Sequence, residues 1–344
     1  MKKFISILGV LGFLILGAGT APAADEDKSI IVYTALEDEL VTEYLEDFKR
    51  HHPDLTVSVV RESTGIITAR LLAEKDQPQA DVVWGTAASS MMILDNLGLL
   101  AGYAPAGVNR ILPRFKSTQE PPTWVGIDAW ETAFTVNTEE LAKAGLKASD
   151  IKTYQDLLNP KLKGQIVMSN PSSSGTGFLT VSAILQLNGK DSEAGWDFLT
   201  ALDRNVDQYV HSGSKPAKMA AAGECAVGIS FGYAGLSQKK NSPVEIVFPA
   251  EGSGWDLEAN ALMKKPRVKP AARTFLDWAI SDSVMELYRK NYPIVTIGVK
   301  GGYEGIEGDP IKQLIDNDFA WAAGNRDTIL KKWAEKFDAK SAPK

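Results

Sequence analysis

The stretch IIVYTALEDELVTEYLEDFKRHHPDLTVSVV, residues 30–60, carries the repeating logic of the whole chain. Residues 30–33 and 56–60 are apolar and β-branched runs bounded by polar residues, the mark of buried strands. Between them Val41, Tyr44, Leu45 and Phe48 recur at helical spacing and give one apolar face. Glu37, Asp38 and Glu39 occupy the first turn, where the helix dipole favours carboxylates. Strand, helix and strand in this order predict a βαβ unit.

The alternation continues outward from this unit. A second helix is expected from Ser63-Thr64-Gly65 to about Glu74, and further strands at 81–84, 165–168, 226–231 and 244–248. The fold class is therefore α/β, with helices flanking mainly parallel sheets. Residues 124–137 are aromatic and β-branched, with no helix before Glu139, and read as an extended crossover between two lobes. A second crossover is expected near 255–262, ahead of Lys264-Lys265-Pro266. Residues 24–130 and 260–344 would then form a discontinuous first lobe, and 131–259 the second. The helical segments 270–281 and 327–337 read as packing.

Met1-Lys2-Lys3, an apolar run over 4–16 and Ala21-Pro22-Ala23 form a secretory signal peptide, residues 1–23, cleaved on export to the periplasm. No cysteine lies near that junction to take a lipid. The 37 basic and 43 acidic residues give a formal charge of −6; without Lys2 and Lys3 the balance is 35 against 43, or −8. Such a charge disfavours nucleic acid as a partner. The single Cys225 excludes an internal disulfide and is expected as a packed core thiol. The length suggests about two domains, and the protein is expected to be a monomer.

Ligands of open α/β sheets bind beyond the carboxyl ends of strands, where helix N-termini present unpaired amides. Four such junctions here are rich in hydroxyls: Tyr33-Thr34, Ser63-Thr64-Gly65, Ser212-Gly213-Ser214, and the run from Ser169 through Ser172, Ser173, Ser174 and Gly175 to Thr176 and Gly177. One serine would suffice as an N-cap for the helix that follows. The four hydroxyls of Ser172, Ser173, Ser174 and Thr176 and two glycines point instead to a cradle for an anionic oxygen cluster, built without Lys or Arg. A cationic group would need carboxylates or aromatic faces. Candidates are Asp128 and Trp130 at one crossover, Trp255, Asp256 and Glu258 at the other, and Glu37 with Asp38 beyond the first strand; solvated helix starts would account equally well for the last two.

Signals for an enzyme are weak. His51 and His52 close an amphipathic helix, no His pair has zinc spacing, and neither a Gly-x-Ser-x-Gly elbow nor a Walker-type loop occurs. A triad built on His211 and a serine is disfavoured. No cofactor or metal is expected.

Val32-Tyr33-Thr34-Ala35, Pro78-Gln79-Ala80-Asp81-Val82 with Trp84, Lys163-Gly164, the Ser/Gly turn and Gly223-Glu224-Cys225-Ala226-Val227-Gly228 occur in an order that resembles type II periplasmic binding proteins of the iron(III)/thiamine/phosphonate group. The resemblance covers essentially the whole mature region. It implies a two-lobed fold, capture of a small ligand by lobe closure, and delivery to an ABC permease of the inner membrane. Iron(III) binders of that group carry adjacent tyrosines where this chain has Phe231-Gly232-Tyr233-Ala234. One phenolate is a poor set for a hard cation, so iron is disfavoured.

The cradle together with Trp255-Asp256-Leu257-Glu258-Ala259-Asn260-Ala261 is most similar to 2-aminoethylphosphonate-binding proteins. That resemblance implies phosphonate contacts from Ser63, Thr64, Ser172, Ser174, Thr176 and Tyr233, with Thr34 at the same end. It implies an ammonium pocket of Trp130, Asp256, Glu258 and Glu37, beside Trp255. Iron(III), a polyamine, thiamine, phosphate and a periplasmic hydrolase are the competing readings.

Overall fold

The computed structural model describes residues 26–298 and 310–343; the leader expected over 1–23 lies outside the described residues. Strands β1 (Ser29–Thr34), β2 (Thr56–Arg61) and β3 (Val82–Ala87) are parallel, with β1 in the middle. The short β4 (Leu100–Ala101) precedes the long β5 (Trp124–Asn137), all of whose residues are buried. After it come β6 (Ile166–Ser169), β7 (Val206–Val210), β8 (Val227–Phe231), β9 (Val244–Val247), β10 (Trp255–Met263) and β11 (Ile294–Val295). Hydrogen bonding links them in the order β2-β1-β3-β10-β5-β8-β6-β7. The fold is the expected mixed, helix-flanked α/β type, and both sequence runs of the opening βαβ unit are strands.

One strand serves both lobes. Residues 124–131 of β5 pair with β10 and β11, whereas 132–136 pair with β8. Around the first half lies a core in which Tyr44, Trp84, Phe275, Trp278 and Tyr288 meet edge to face. Around the second half lies another, with Phe134, Tyr154, Trp196 and Tyr209. Cys225 is buried in a small third cluster with Val167 and Val210, and burial pushes its thiol up to about 12.

Three expectations about organisation need correcting. Residues 255–262 are not a crossover: β10 is an inner strand of the first lobe, antiparallel to both β3 and β5. The crossing lies just before it, where Gly252 adopts a φ of 112° that favours glycine and the Thr132 amide donates to the Gly254 carbonyl at 2.7 Å. The C-terminal helix Phe319–Phe337 does not belong to the first lobe. Its face of Ala322, Ile329, Trp333 and Phe337 enters the second core, with Trp333 edge-on to Tyr209 at 4.8 Å, while the helix also lies along Ala88–Asn96 of the first lobe. The edge strand β7 was not expected, because Asp207 and Gln208 break its apolar run.

The chain therefore reaches the second lobe along three neighbouring paths. Beside Glu131-Thr132 and Ser253-Gly254, residues 313–317 form a third: Ser253 donates to the Gln313 carbonyl at 2.6 Å and Ile315 to the Ser253 carbonyl at 3.0 Å. The Asn317 side chain then bonds to the Trp255 carbonyl at 2.6 Å. Among the described residues no helix is long and apolar enough to cross a membrane.

Candidate functional site

Two helices begin on opposite walls of a narrow cleft of about 40 Å³ between the lobes. On the first wall β2 ends at Arg61, and Ser63 stands at the N-cap position of the helix Thr64–Ala73, its side chain making no capping bond. On the second, β6 ends at Ser169 and Ser174 caps Gly175–Leu187, its Oγ accepting the Gly177 amide at 3.3 Å. At these starts the Ile66 amide is taken by the Ser63 carbonyl and that of Gly177 by Ser174 Oγ, which leaves Thr64, Gly175 and Thr176 as amide donors toward the cleft.

The lobes meet here. The Gly65 amide donates to the Ser173 carbonyl across the cleft at 2.9 Å. A Cβ on Gly65 would collide with the Ser172 carbonyl, and one on Gly175 would lie 2.7 Å from Thr64 Oγ1. Absence of a side chain at both positions is thus what permits this approach. From the second lobe Ser214 also donates to Glu37 Oε2 at 3.3 Å.

Ser63, Thr64, Ser174 and Thr176 line the cleft with Glu37, Trp130 and Glu258. So do Gly213, from one of the four expected junctions, and Ala35, Arg61, Phe231 and Tyr292, which were not expected as contacts. Arg61 corrects the expectation of a cradle without cations. Its Nε donates to the Leu36 carbonyl at 2.8 Å and its Nη2 to Glu37 at 3.1 Å, which aims the guanidinium along the wall. Its position two residues before Ser63-Thr64, at a strand's carboxyl end, was a usable signal. Tyr292 had none, since it follows the helix Asp282–Asn291 with no hydroxyl-rich or glycine-rich turn beside it.

Five expected contacts stand elsewhere. Thr34 is fully buried, its hydroxyl accepting the Leu36 amide at 3.2 Å and so fixing the turn after β1. Ser172 is exposed, because its amide bonds to Asn170 Oδ1 at 2.8 Å and turns the side chain outward. Tyr233 packs behind Tyr292 at 5.8 Å. Trp255 donates to the Ile315 carbonyl at 2.9 Å and meets Phe319 edge-on, away from the cleft. Asp256 accepts the Ser89 hydroxyl at 2.6 Å and the Leu257 amide at 2.7 Å, joining β10 to the helix Ala88–Asn96; burial pushes its carboxyl up to about 6.

The electrostatics differ from wall to floor. Burial raises Glu37 despite the opposing pull of Arg61. On the floor Asp128 and Glu258 are buried register partners on β5 and β10. Burial first, and then their neighbouring negative charge, holds both well above the usual carboxylate range. Burial, then Glu258 and Asp128, likewise raises Tyr292.

His211 does pair with a serine, Nδ1 lying 3.1 Å from Ser173 Oγ. Its Nε2 faces the Ala342 carbonyl at 2.9 Å, so the ring ties the C-terminal residues to the Ser/Gly turn. Ser341 adds a bond to Asn170 at 2.8 Å. The pair stands behind the cradle as a brace.

Residues 43–300 match the model of the family described as bacterial extracellular solute-binding protein. An uncharacterised protein of Haemophilus influenzae is 31% identical over 96% of this chain and 97% of its own length. The Fe(3+)-binding periplasmic protein of Serratia marcescens is 26% identical over 85% of this chain and 86% of its own. Among solved structures, the periplasmic binding protein AfuA from Actinobacillus pleuropneumoniae, with exogenous fructose-6-phosphate bound, superposes with a TM-score of 0.82 at 30% identity. The superposition covers 90% of this chain and 99% of that one.

Proposed function

We propose, from the premise that this chain belongs to the bacterial extracellular solute-binding protein family, that it is the periplasmic component of an ABC importer whose ligand is a small phosphonate zwitterion, 2-aminoethylphosphonate. The carrying observation is the meeting of two helix starts and Arg61 around one point of the cleft. Amides at helix N-termini, short hydroxyls and a guanidinium together match a doubly charged oxyanion. Ser63, Thr64, Ser174 and Thr176 would hold the phosphonate, and Glu258 with Trp130 and Glu37 the ammonium. Closure of the lobes about the crossings encloses the ligand, driven by its higher affinity for the closed form. The closed form then presents both lobes to the inner-membrane permease. No bond of the ligand changes.

A sugar phosphate is the second reading, supported by fructose-6-phosphate in the AfuA structure. Its head would use the same wall, and its hydroxyls would face the acids. Iron(III) is carried by the name of the Serratia relative. Against it, a hard cation wants several anionic oxygens, and Tyr292 is the one phenol lining the cleft among the described residues.

Thermal-shift titration decides among these, because a ligand bound only by the folded state raises Tm. 2-Aminoethylphosphonate is expected to give the largest shift in a set with fructose-6-phosphate, inorganic phosphate, a polyamine and ferric citrate. A larger shift from any other member sinks the zwitterion reading, and a coloured protein with ferric citrate would favour iron.

A further inference from the structure

Asp128 and Glu258 occupy an unusual position on the floor of the cleft. Asp128 is completely buried, while Glu258, 8% exposed, also lines the cavity. Neither oxygen of Asp128, nor Oε2 of Glu258, meets an N–H or O–H donor among the described residues. Asp128 and Glu258 are register partners on β5 and β10, so their side chains stand on one face of neighbouring strands. Two facing acceptors left without a donor are relieved by a proton on one of them.

The surroundings favour that proton. Glu131 lies on the same strand as Asp128, and Glu37 faces Glu258 from the cleft wall. Tyr44 and Tyr288, on the helices Asp38–His51 and Asp282–Asn291, pack edge to face nearby, and Tyr292 lines the cleft with Glu258. Arg61 is engaged with Glu37 instead of the pair. Two carboxylates in contact, in a site that excludes water, do not both stay ionised.

We propose that Asp128 and Glu258 share one proton in the ligand-free protein and release it to solvent when a ligand ammonium reaches Glu258, so that the pair selects a cationic tail by exchange. The proposal rests on the zwitterion reading above. In the step the carboxyl O–H bond breaks, its proton passes to bulk water, and the ammonium keeps all three of its own hydrogens and becomes the donor the carboxylates lacked. A hydroxyl in the same place would need no exchange, because the protonated pair both donates and accepts.

The test is calorimetry at pH 7 in two buffers of different ionisation enthalpy, with 2-aminoethylphosphonate and with ethylphosphonate, which has a like head and no amine. With 2-aminoethylphosphonate the wild-type protein is expected to release roughly one more proton than Asp128→Asn or Glu258→Gln, a comparison in which the ligand's own phosphonate ionisation cancels; with ethylphosphonate the wild type and the variants should give equal counts. The affinity of the wild type for the amine ligand, relative to that of Glu258→Gln, should rise with pH while the pair stays protonated, since binding expels a proton. Equal proton counts from the wild type and from variants that bind the amine ligand would overturn the dyad and leave the phosphonate reading standing. If neither probe binds, the reading itself fails and takes the dyad with it.

Discussion

The end of the cleft proposed to take the anion is made from main-chain groups at the starts of two helices, Thr64–Ala73 and Gly175–Leu187, whereas its floor is made from the side chains of Asp128 and Glu258. Peptide amides carry their partial charge at every pH, and the helices hold them in place before a ligand arrives. Carboxyls can be packed just as tightly, but their charge depends on what stands beside them. On the proposed reading the wall then demands an oxyanion at every pH, and the floor discriminates among tails. Arg61 belongs to the first kind, since a guanidinium stays charged throughout.

The sharpest way to break the contrast is to spoil the backbone approach without touching any polar group. Gly65→Ala puts a Cβ against the Ser172 carbonyl. It is expected to weaken phosphonate binding by about 100-fold, roughly 3 kcal/mol, by holding the lobes apart. Melting of the ligand-free variant checks that the fold survives: Tm should not drop, because alanine suits a helix better than glycine.

Arg61→Gln removes the permanent cation while keeping an amide donor. A loss of about 2 kcal/mol in calorimetry is expected, in line with hydrogen bonds to charged groups. Affinity unchanged within error would mean that the amides alone hold the anion.

The smallest effect separates two neighbouring hydroxyls. Thr176→Ala, in the cleft, should cost about 1–2 kcal/mol of binding, and Ser172→Ala, on the outside, less than about 0.5 kcal/mol. The reverse order in parallel titrations would mean that the turn rearranges when ligand enters.

Much of this architecture could be read from local pattern. The β-branched runs marked β1, β2, β3, β6, β8 and β9, and the glycines between Ser174 and Phe178 marked a helix start with spare donors. What escaped were long-range facts. Trp255, Asp256 and Glu258 were recognised as a group, yet alternation along β10 turns Trp255 away and a tie to Ser89 removes Asp256. Only the pairing of β10 with β5 brings Glu258 to Asp128. The helix Phe319–Phe337 showed its apolar face but not which lobe would receive it. Arg61 was overlooked for a different reason: the abundance of neutral donors made a cation seem unnecessary.

The triple connection between the lobes constrains how they move. A single strand joining two bodies would let them twist, tilt and slide. Three backbones lying side by side at Thr132, Ser253 and Ile315, and bonded to one another, behave as a leaf spring. They yield to bending across their plane and resist torsion along it. The proposed closure of the lobes would thereby follow nearly one mechanical coordinate and bring the two halves back to the same registration each time.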